Sequence, residues 1–180
     1  MPLLSRAVPR HPGVWADFGA GTGTFTGALA RLIGPESTIY AVDRNRDAIR
    51  SFARFVQVDG VRVVPIVGDF TRLAELSRVV RQSLDGMLFA NALHYVPDPD
   101  VVLSRLVPLL RPSGRVVIVE YDRRAANRWV PYPIASVRLG EIAGAAGLSE
   151  PSITATRPSS FGGDLYVAYL TGSRRQRSTS

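Results

Sequence analysis

The apolar and polar positions of this chain alternate between two spacings. Short apolar runs, such as residues 38–42 and 115–121, are followed by stretches in which apolar side chains recur every three or four positions. Short apolar runs bounded by glycine, proline and polar residues are typical of buried strands, whereas the longer spacing gives a helix with one apolar face. The pattern therefore predicts strands and helices in regular alternation.

These spacings predict seven strands and five helices. The strands fall at about residues 13–18, 38–42, 62–67, 85–90, 115–121, 151–157 and 164–170. The helices fall at about residues 22–33, 46–56, 71–80, 100–110 and 135–147. Asn45 and Thr71 can cap the second and third helices, and Gly34-Pro35 ends the first. Residues 111–114 predict a turn before the fifth strand.

Such an alternation predicts the α/β class, with a mostly parallel sheet and helices on both of its faces. The last two strands have a short connection, which predicts an antiparallel hairpin. The sequence has no internal repeat and no sign of a second domain. We therefore expect residues 1–170 to form one domain and residues 171–180 to form a basic, disordered tail.

The composition narrows the classes of protein to which the chain can belong. Of its 180 residues, 46% are hydrophobic, but no apolar run approaches the roughly 20 residues that a membrane span needs. The N-terminus has no long apolar segment of the signal-peptide kind. We therefore expect a soluble, cytoplasmic protein with no membrane partner. Because the chain has no cysteine and only two histidines, no dedicated metal site is expected.

The formal charge of +7 comes from arginine alone, since all 22 basic residues are Arg. This charge reflects either a compositional habit of the source genome or a functional basic surface. The arginines are spread over the predicted helices, and the only dense basic run is Arg174, Arg175 and Arg177 in the tail. No nucleic-acid-binding motif accompanies the charge, so nucleic acid is not an expected partner.

The first strand leads into a glycine-rich turn, where residues 17–23 read Asp-Phe-Gly-Ala-Gly-Thr-Gly. Glycine permits a positive φ and lets a ligand lie against the backbone, while the following helix offers free N–H groups at its N-terminus. The spacing is not that of a dinucleotide site, because Thr24 or Thr26 stands where the third glycine would be. Strand, glycine turn and helix predict a nucleotide pocket at the carboxyl end of the sheet. A tight turn without a ligand is the alternative interpretation.

Polar residues follow the next strands at the same predicted edge of the sheet. Asp43 stands 20 residues after Gly23, where an acid can accept hydrogen bonds from both hydroxyls of a ribose. After the third strand, Asp69 can accept from an exocyclic amine and Phe70 can cover a ring face. Helix capping is the alternative role for both acids. The stretch from Asn91 to Tyr95 follows the fourth strand.

In this order, the motifs resemble those of the class I S-adenosylmethionine-dependent methyltransferases. Residues 17–23 resemble the first motif of that family, D-x-G-x-G-x-G. Asp69-Phe70 resembles its third motif, residues 91–95 its fourth, and residues 111–114 its L-K-P-G-G turn, from which Ser113 departs. The resemblance covers about residues 13–170. It implies a Rossmann-like, doubly wound sheet of seven strands, in the order 3-2-1-4-5-7-6, with strand 7 antiparallel.

The resemblance also implies the cofactor, S-adenosylmethionine, and the residues that bind it. These residues are Asp17, Gly19, Ala20, Gly21, Gly23, Asp43, Arg44, Gly68, Asp69, Phe70 and Asn91. Residues 91–95 do not match the Asp/Asn-Pro-Pro-Tyr signature of amino methylation of adenine, cytosine or protein glutamine. The absence of cysteine also excludes Cys-dependent methylation at C5 of pyrimidines. We therefore expect methyl transfer to a small-molecule acceptor.

His94 and Tyr95 are the candidate catalytic residues. His94 can act as a general base, because the ordinary pKa of an imidazole lies near neutrality, or it can be a structural histidine beneath the site. Tyr95 can line the substrate pocket or belong to the core. Glu120 and Asp122, at the end of the fifth strand, can orient a hydroxyl or an amine, or pair with the arginines that follow at 123 and 124.

Three aromatic residues, Trp129, Tyr132 and Phe161, form either a substrate wall or packing over the edge of the sheet. The segment before the first strand is short, so a lid of the kind that many methyltransferases place there is missing or minimal. Either a second copy in a homodimer supplies such a lid, or the natural chain starts upstream of Met1.

Other functions stay open at this stage. The short N-terminal segment and the absence of an unambiguous base favour a cofactor-binding partner or regulatory subunit with little activity. An aminopropyltransferase shares the fold, but residues 91–94 lack the acidic side chains that a polyamine needs. The glycine spacing disfavours a nicotinamide oxidoreductase.

Overall fold

The computed structural model of the chain describes residues 2–55, 58, 60–76, 79, 81, 83–122, 125–159 and 162–172. Within these residues, one sheet contains the strands β1 (Val14–Phe18), β2 (Ser37–Asp43), β3 (Val61–Val67), β4 (Leu84–Ala90), β5 (Leu110–Asp122), β6 (Ser152–Pro158) and β7 (Asp164–Thr171). The α-helices are α1 (Thr24–Ile33), α2 (Arg46–Phe55), α3 (Pro99–Leu106) and α4 (Leu139–Ala145).

The strand order is β3-β2-β1-β4-β5-β7-β6. The first five strands are parallel to one another, and β7 runs antiparallel to both β5 and β6. Both the predicted order and the predicted antiparallel hairpin are therefore confirmed. In this order the carboxyl ends of β1 to β4 meet at one edge of the sheet, which is where open α/β sheets place their ligands.

Alternation along the central strands gives the sheet an apolar surface on both faces. In β1, Trp15 packs in a cluster that includes residues of α1, whereas Ala16 and Phe18 pack in the cluster that includes residues of α3 and α4. Each of these three side chains is fully buried, and burying one of the larger ones contributes roughly 1.5–3 kcal/mol. Two-sided burial fixes the sheet as the rigid base beneath the loops at its edge.

The N-terminal segment is part of the core. Leu3, Leu4, Ala7 and Val8 are buried in the same cluster as Trp15. The Ala7 carbonyl accepts a hydrogen bond from the guanidinium of Arg115. This segment therefore packs against the sheet.

Three helix predictions were wrong in extent. The predicted helix at 71–80 is a 3-10 turn at Leu73–Leu76, because the Thr71 N–H and hydroxyl both donate to Asp69 Oδ1 in a local turn; residues 77, 78 and 80 lie outside the described ranges. The helix predicted to run to residue 110 ends at Leu106, since Pro108 has no N–H to donate. The helix predicted over 135–147 is a 3-10 turn at Ser136–Arg138 followed by α4.

Two boundaries also differ from the prediction. Helix α1 begins at Thr24 rather than at residue 22, because Gly23 still has a left-handed backbone. The predicted turn at residues 111–114 is a bulge inside β5, whose pairing with β4 passes from Leu84↔Leu110 directly to Gly86↔Arg115. None of the helices in the described part of the chain is long and apolar enough to cross a bilayer.

Candidate cofactor and active site

The glycine turn after β1 requires its glycines. The φ angles of Gly19, Gly21 and Gly23 are 80°, 53° and 89°, a region that residues with a Cβ rarely adopt. Gly19 is also needed for space, since a Cβ there would lie 2.6 Å from the Cβ of Ala92. The turn can therefore lie directly against the loop that follows β4.

Backbone hydrogen bonds tie this turn to β2. The N–H groups of Gly19 and Ala20 both donate to the Val42 carbonyl, at 2.8 and 3.0 Å. The N–H of Gly21 donates to Asp43 Oδ2 at 2.8 Å. These N–H groups are therefore used within the protein, and the turn acts as a fixed wall for a ligand.

A cavity of about 320 Å³ lies at the carboxyl edge of the sheet. It is lined by Gly19, Asp43, Arg44, Gly68, Asp69, Phe70, Thr71, Asn91, Ala92, Tyr95, Val96 and Pro97. Its volume lies at the lower end of the range of roughly 300–1,000 Å³ that is usual for small-molecule sites. The structure thus brings together residues that follow β1, β2, β3 and β4, as the parallel sheet predicts.

Asp43 stands at the end of β2 with part of its hydrogen-bonding capacity in use. Its Oδ2 accepts from Gly21 N, and its Oδ1 accepts from Asn45 N at 2.8 Å. Because a carboxylate has about four acceptor sites, these bonds orient the group and leave room for two further donors. Asn45 caps α2, accepting from the N–H groups of Asp47 and Ala48, so the predicted cap is confirmed.

Asp69 and Phe70 form the wall after β3. Asp69 Oδ1 accepts both hydrogen bonds from Thr71, and its other oxygen has no hydrogen bond within the described ranges. The Phe70 ring packs against Phe18 and Phe89, with centroids 6.0 and 5.7 Å apart. This packing fixes an aromatic ring at the edge of the cavity.

Asn91 follows β4 in a strained conformation, with φ at 54°. Its N–H donates to the Val119 carbonyl at 2.8 Å, which anchors the backbone to β5. Its Oδ1 is buried and has no hydrogen-bond partner in the described part of the chain. A buried acceptor without a donor is costly. Asn91 lines the cavity, but Oδ1 itself is closed off from solvent, so a ligand would reach this oxygen only after the side chain had turned.

Four of the predicted cofactor-binding residues do not line the cavity. Ala20, Gly21 and Gly23 shape the turn behind Gly19, and Asp17 is fully buried beneath that turn. Asp17 Oδ2 accepts a hydrogen bond from the Thr26 hydroxyl of α1. Burial raises the pKa of Asp17 from 3.8 to about 7, the Thr26 hydrogen bond opposes this shift, and the charge of Asp43 adds to it.

His94 lies behind the cavity wall rather than in it. It is 2% exposed, and its Nδ1 lies 2.6 Å from Oε2 of Glu120, which is also fully buried. The other oxygen, Glu120 Oε1, accepts from the backbone N–H of His94 at 3.2 Å. The structure thus pairs two residues that the sequence assigned to separate roles, and it gives Glu120 a partner, His94, that the sequence did not predict.

Tyr95 covers this pair and lines the cavity. Its ring centroid lies 4.4 Å from that of His94, and 45% of the residue is exposed. The Asp122 carboxylate instead holds the loop that follows β5, since its Oδ1 accepts a hydrogen bond from the backbone N–H of Ser136 at 2.9 Å. The predicted pairing partners at 123 and 124, and the predicted wall residue Phe161, lie outside the described residues. Trp129 and Tyr132 are both exposed.

The sequence did not assign Thr71, Val96 or Pro97 to the site, and Ala92 appeared only as part of a motif. Each lies within two residues of a predicted site residue. The turns after β3 and β4 therefore contribute consecutive residues to the cavity wall. The position of these residues directly beside predicted site residues could have identified them from the sequence.

Comparison with known proteins agrees with this geometry. Residues 14–144 match the model of a family described as a methyltransferase domain. The chain therefore belongs to the methyltransferase domain family, within the class I S-adenosylmethionine-dependent methyltransferases. The family, the fold and the cofactor class predicted from the sequence are confirmed at that level.

Among curated relatives, the chain is 27% identical over 110 residues to the ubiquinone/menaquinone biosynthesis C-methyltransferase UbiE of Pasteurella multocida, covering 59% of this chain and 39% of that protein. It is 29% identical over 125 residues to a probable cobalt-precorrin-6B C(15)-methyltransferase (decarboxylating) of Thermoplasma volcanium, covering 69% and 59%. The chain thus spans less than two thirds of the length of these relatives.

Among solved structures, 1,6-didemethyltoxoflavin-N1-methyltransferase of Burkholderia thailandensis, which contains S-adenosylhomocysteine, is 26% identical with a TM-score of 0.69. The match covers 91% of this chain and 72% of that one. A methyltransferase of Aquifex aeolicus shares the fold, with a TM-score of 0.68 at 15% identity and coverage of 93% and 86%.

Proposed function

We propose that this chain binds S-adenosylmethionine in the cavity at the carboxyl edge of its sheet and methylates a small-molecule acceptor. The observation that carries the proposal is that Asp43, Asp69 and Asn91 line one cavity, and that the side-chain oxygen of Asn91 has no hydrogen-bond partner in the described part of the chain. A ligand that satisfies all three side chains must donate hydrogen bonds at separated points. S-Adenosylmethionine has such donors in its ammonium group, its ribose hydroxyls and its exocyclic amine.

Each group of the cofactor has a residue of fitting chemistry. Asp43 would hold the ribose hydroxyls with the acceptor sites that Gly21 and Asn45 leave open. Asp69 would accept from the adenine amine, and Phe70 would contact the adenine ring. Asn91 Oδ1 would accept from the ammonium group of the methionine moiety. Because Gly19 has no Cβ, it would let the ligand lie against the backbone.

When bound, the cofactor supplies a methyl group that its sulfonium already activates. The protein then has mainly to orient the acceptor toward this methyl group and to exclude water. Ideal positioning of two reactants can lower the barrier to reaction by roughly 7–11 kcal/mol. The wall formed by Asn91, Tyr95 and Val96 follows β4 and would hold the acceptor beside the cofactor. Glu120 fixes this wall from behind through its two hydrogen bonds to His94.

The roles of His94 and Tyr95 follow from their positions. Tyr95 faces the cavity and would contact the acceptor, whereas His94 would need Tyr95 to move before it could accept a proton from a substrate. The burial of His94 therefore favours a structural role over the role of general base. It also supports a second candidate function, a cofactor-binding partner or regulatory subunit with little activity.

Calorimetric titration with S-adenosylhomocysteine tests the proposal. The wild type should bind it, and Asp43→Ala should weaken binding by about 1–3 kcal/mol, because the ribose loses a charged acceptor. Asp47→Ala is the matched control, since this carboxylate is 89% exposed in the first turn of α2 and makes only a surface contact with Arg50. Melting curves of all three proteins would show whether they are folded.

Equal affinity in wild type and Asp43→Ala would contradict the assignment of Asp43, and no binding in folded wild type would contradict the proposal as a whole. If the cofactor binds but no acceptor in a broad screen is methylated, the second candidate function is favoured.

A further inference from the structure

The loop that follows β5 has a fixed backbone but exposed aromatic side chains. Asn127 Oδ1 accepts from the N–H groups of Trp129 and Val130, at 2.8 and 3.0 Å, and Val130 is 97% buried. Farther along, the N–H of Tyr132 donates to the His94 carbonyl at 3.0 Å. Trp129 and Tyr132 nevertheless stay 62% and 47% exposed.

The bond from Tyr132 to His94 places this loop beside the mouth of the cavity. Tyr95, the next residue after His94, lines the cavity and is itself 45% exposed. Tyr95, Trp129 and Tyr132 are named the aromatic rim below. One of these rings lines the cavity, and the loop that carries the other two is hydrogen-bonded to the residue beside it. Large exposed rings cost free energy in water, so their position next to a ligand cavity indicates a surface that binds an apolar ligand.

The charge of the loop further limits the class of ligand that can bind. The guanidinium carbon of Arg128 lies 4.6 Å from the centre of the Trp129 ring, a cation–π contact that holds a positive charge at the rim. Arg128 is the only charged residue in residues 125–135. Arg44 also lines the cavity, but it follows β2, where the carboxylates of Asp43 and Asp69 line the same wall. At the rim, Arg128 would repel a cationic acceptor and would not repel a neutral or anionic one.

We propose that the aromatic rim selects a planar aromatic acceptor with an anionic substituent, whose ring stacks on the rim and whose charge faces Arg128. Flat rings gain from offset or edge-to-face contact with Tyr and Trp beyond the area that they bury, a gain that a saturated ring of similar size lacks. This inference rests on the proposed function, since it names the acceptor class of the same site.

Binding of a probe compound tests this inference without a known reaction. The protein is first saturated with S-adenosylhomocysteine, and 1-hydroxy-2-naphthoate is then titrated by calorimetry. Decahydronaphthalene-2-carboxylate, with the same charge and two saturated rings of similar size, and spermidine, a cation, are the comparison compounds. We expect the naphthoate to bind at least 10-fold more tightly than either. Trp129→Ala and Tyr132→Ala should each weaken its binding by roughly 3–10-fold.

Val137→Ala is the matched control, since Val137 is 81% exposed just after the loop but is not part of the rim. This variant should leave naphthoate affinity unchanged. Fluorescence gives an independent readout, because Trp15 is fully buried and Trp129 is the exposed one of the two tryptophans. Naphthoate should protect Trp129 from quenching by acrylamide.

Equal binding of naphthoate and decahydronaphthalene-2-carboxylate would overturn the inference. So would rim variants that bind naphthoate as well as Val137→Ala does. Both results leave the proposed function standing as long as S-adenosylhomocysteine binds. Failure of S-adenosylhomocysteine to bind in the first step is the separate result that contradicts the proposed function.

Discussion

Replacing the buried Asp17 with asparagine should change how stability depends on pH. The carboxyl group of Asp17 is fully buried with one hydrogen-bond partner, the Thr26 hydroxyl, and burial raises its pKa to about 7. In the unfolded chain its pKa returns to 3.8. The folded state therefore binds the proton more tightly, and stability is lost as pH rises from about 4 to about 7.

The size of the effect follows from these two values. Between pH 5.5 and pH 8, the shift from 3.8 to about 7 removes about 2 kcal/mol of stability, since the folded state must ionise a buried group over that interval. Asparagine is of similar size, can accept the same hydrogen bond from Thr26 and does not ionise. Asp17→Asn should therefore gain about 2 kcal/mol relative to wild type when the pH is raised from 5.5 to 8.

Urea unfolding of both proteins at both pH values measures this difference, and all other titrating groups cancel between them. Asp47→Asn is the control, because its exposed carboxylate should give the pH dependence of the wild type. The reasoning is refuted if Asp17→Asn and wild type lose stability in parallel over this interval.

Two further predictions follow from the contacts around the site. Gly19→Ala should lower the affinity for S-adenosylhomocysteine and lower the stability by about 1–3 kcal/mol, because residue 19 has a positive φ and its added methyl group would lie 2.6 Å from the Cβ of Ala92. Calorimetry measures the affinity and urea unfolding the stability. The control is Gly144→Ala in α4, where the added methyl group meets no other atom, so stability should be unchanged or higher. Glu120→Ala should cost about 1–3 kcal/mol, because it leaves the buried ring and backbone N–H of His94 without their hydrogen-bond partner. A double-mutant cycle with His94→Ala should show a coupling of about 0.5–3 kcal/mol, and additive effects would mean that the pair is not coupled.

The fold could be predicted because its signals are local and repeat along the chain. The apolar runs 38–42 and 85–90 locate strands that the sheet buries on both faces, and the glycine turn fixes where the first crossover begins. The helix predictions were wrong where a local interaction or a proline competed with the helical pattern of apolar residues. The Asp69–Thr71 hydrogen bonds replaced a helix start, and Pro108 ended a helix before its apolar pattern did.

The candidate site could be predicted in part, for a similar reason. Residues directly after strands, such as Asp43, Asp69 and Asn91, reach the cavity because parallel strands end at one edge. The pairing of His94 with Glu120 joins residues 26 positions apart on neighbouring segments, and the local sequence pattern does not predict such a contact. For the same reason, the sequence could not show that Asp17 lies beneath the turn rather than facing the ligand.

A crystal structure of the protein grown with saturating S-adenosylhomocysteine tests the central claim most directly. The account predicts density in the cavity at the carboxyl edge of the sheet, with the ribose hydroxyls on Asp43, the adenine at Asp69 and Phe70, and the amino group within hydrogen-bond distance of Asn91 Oδ1. S-Adenosylhomocysteine bound elsewhere, or a cavity without it in crystals grown at saturation, would contradict the account.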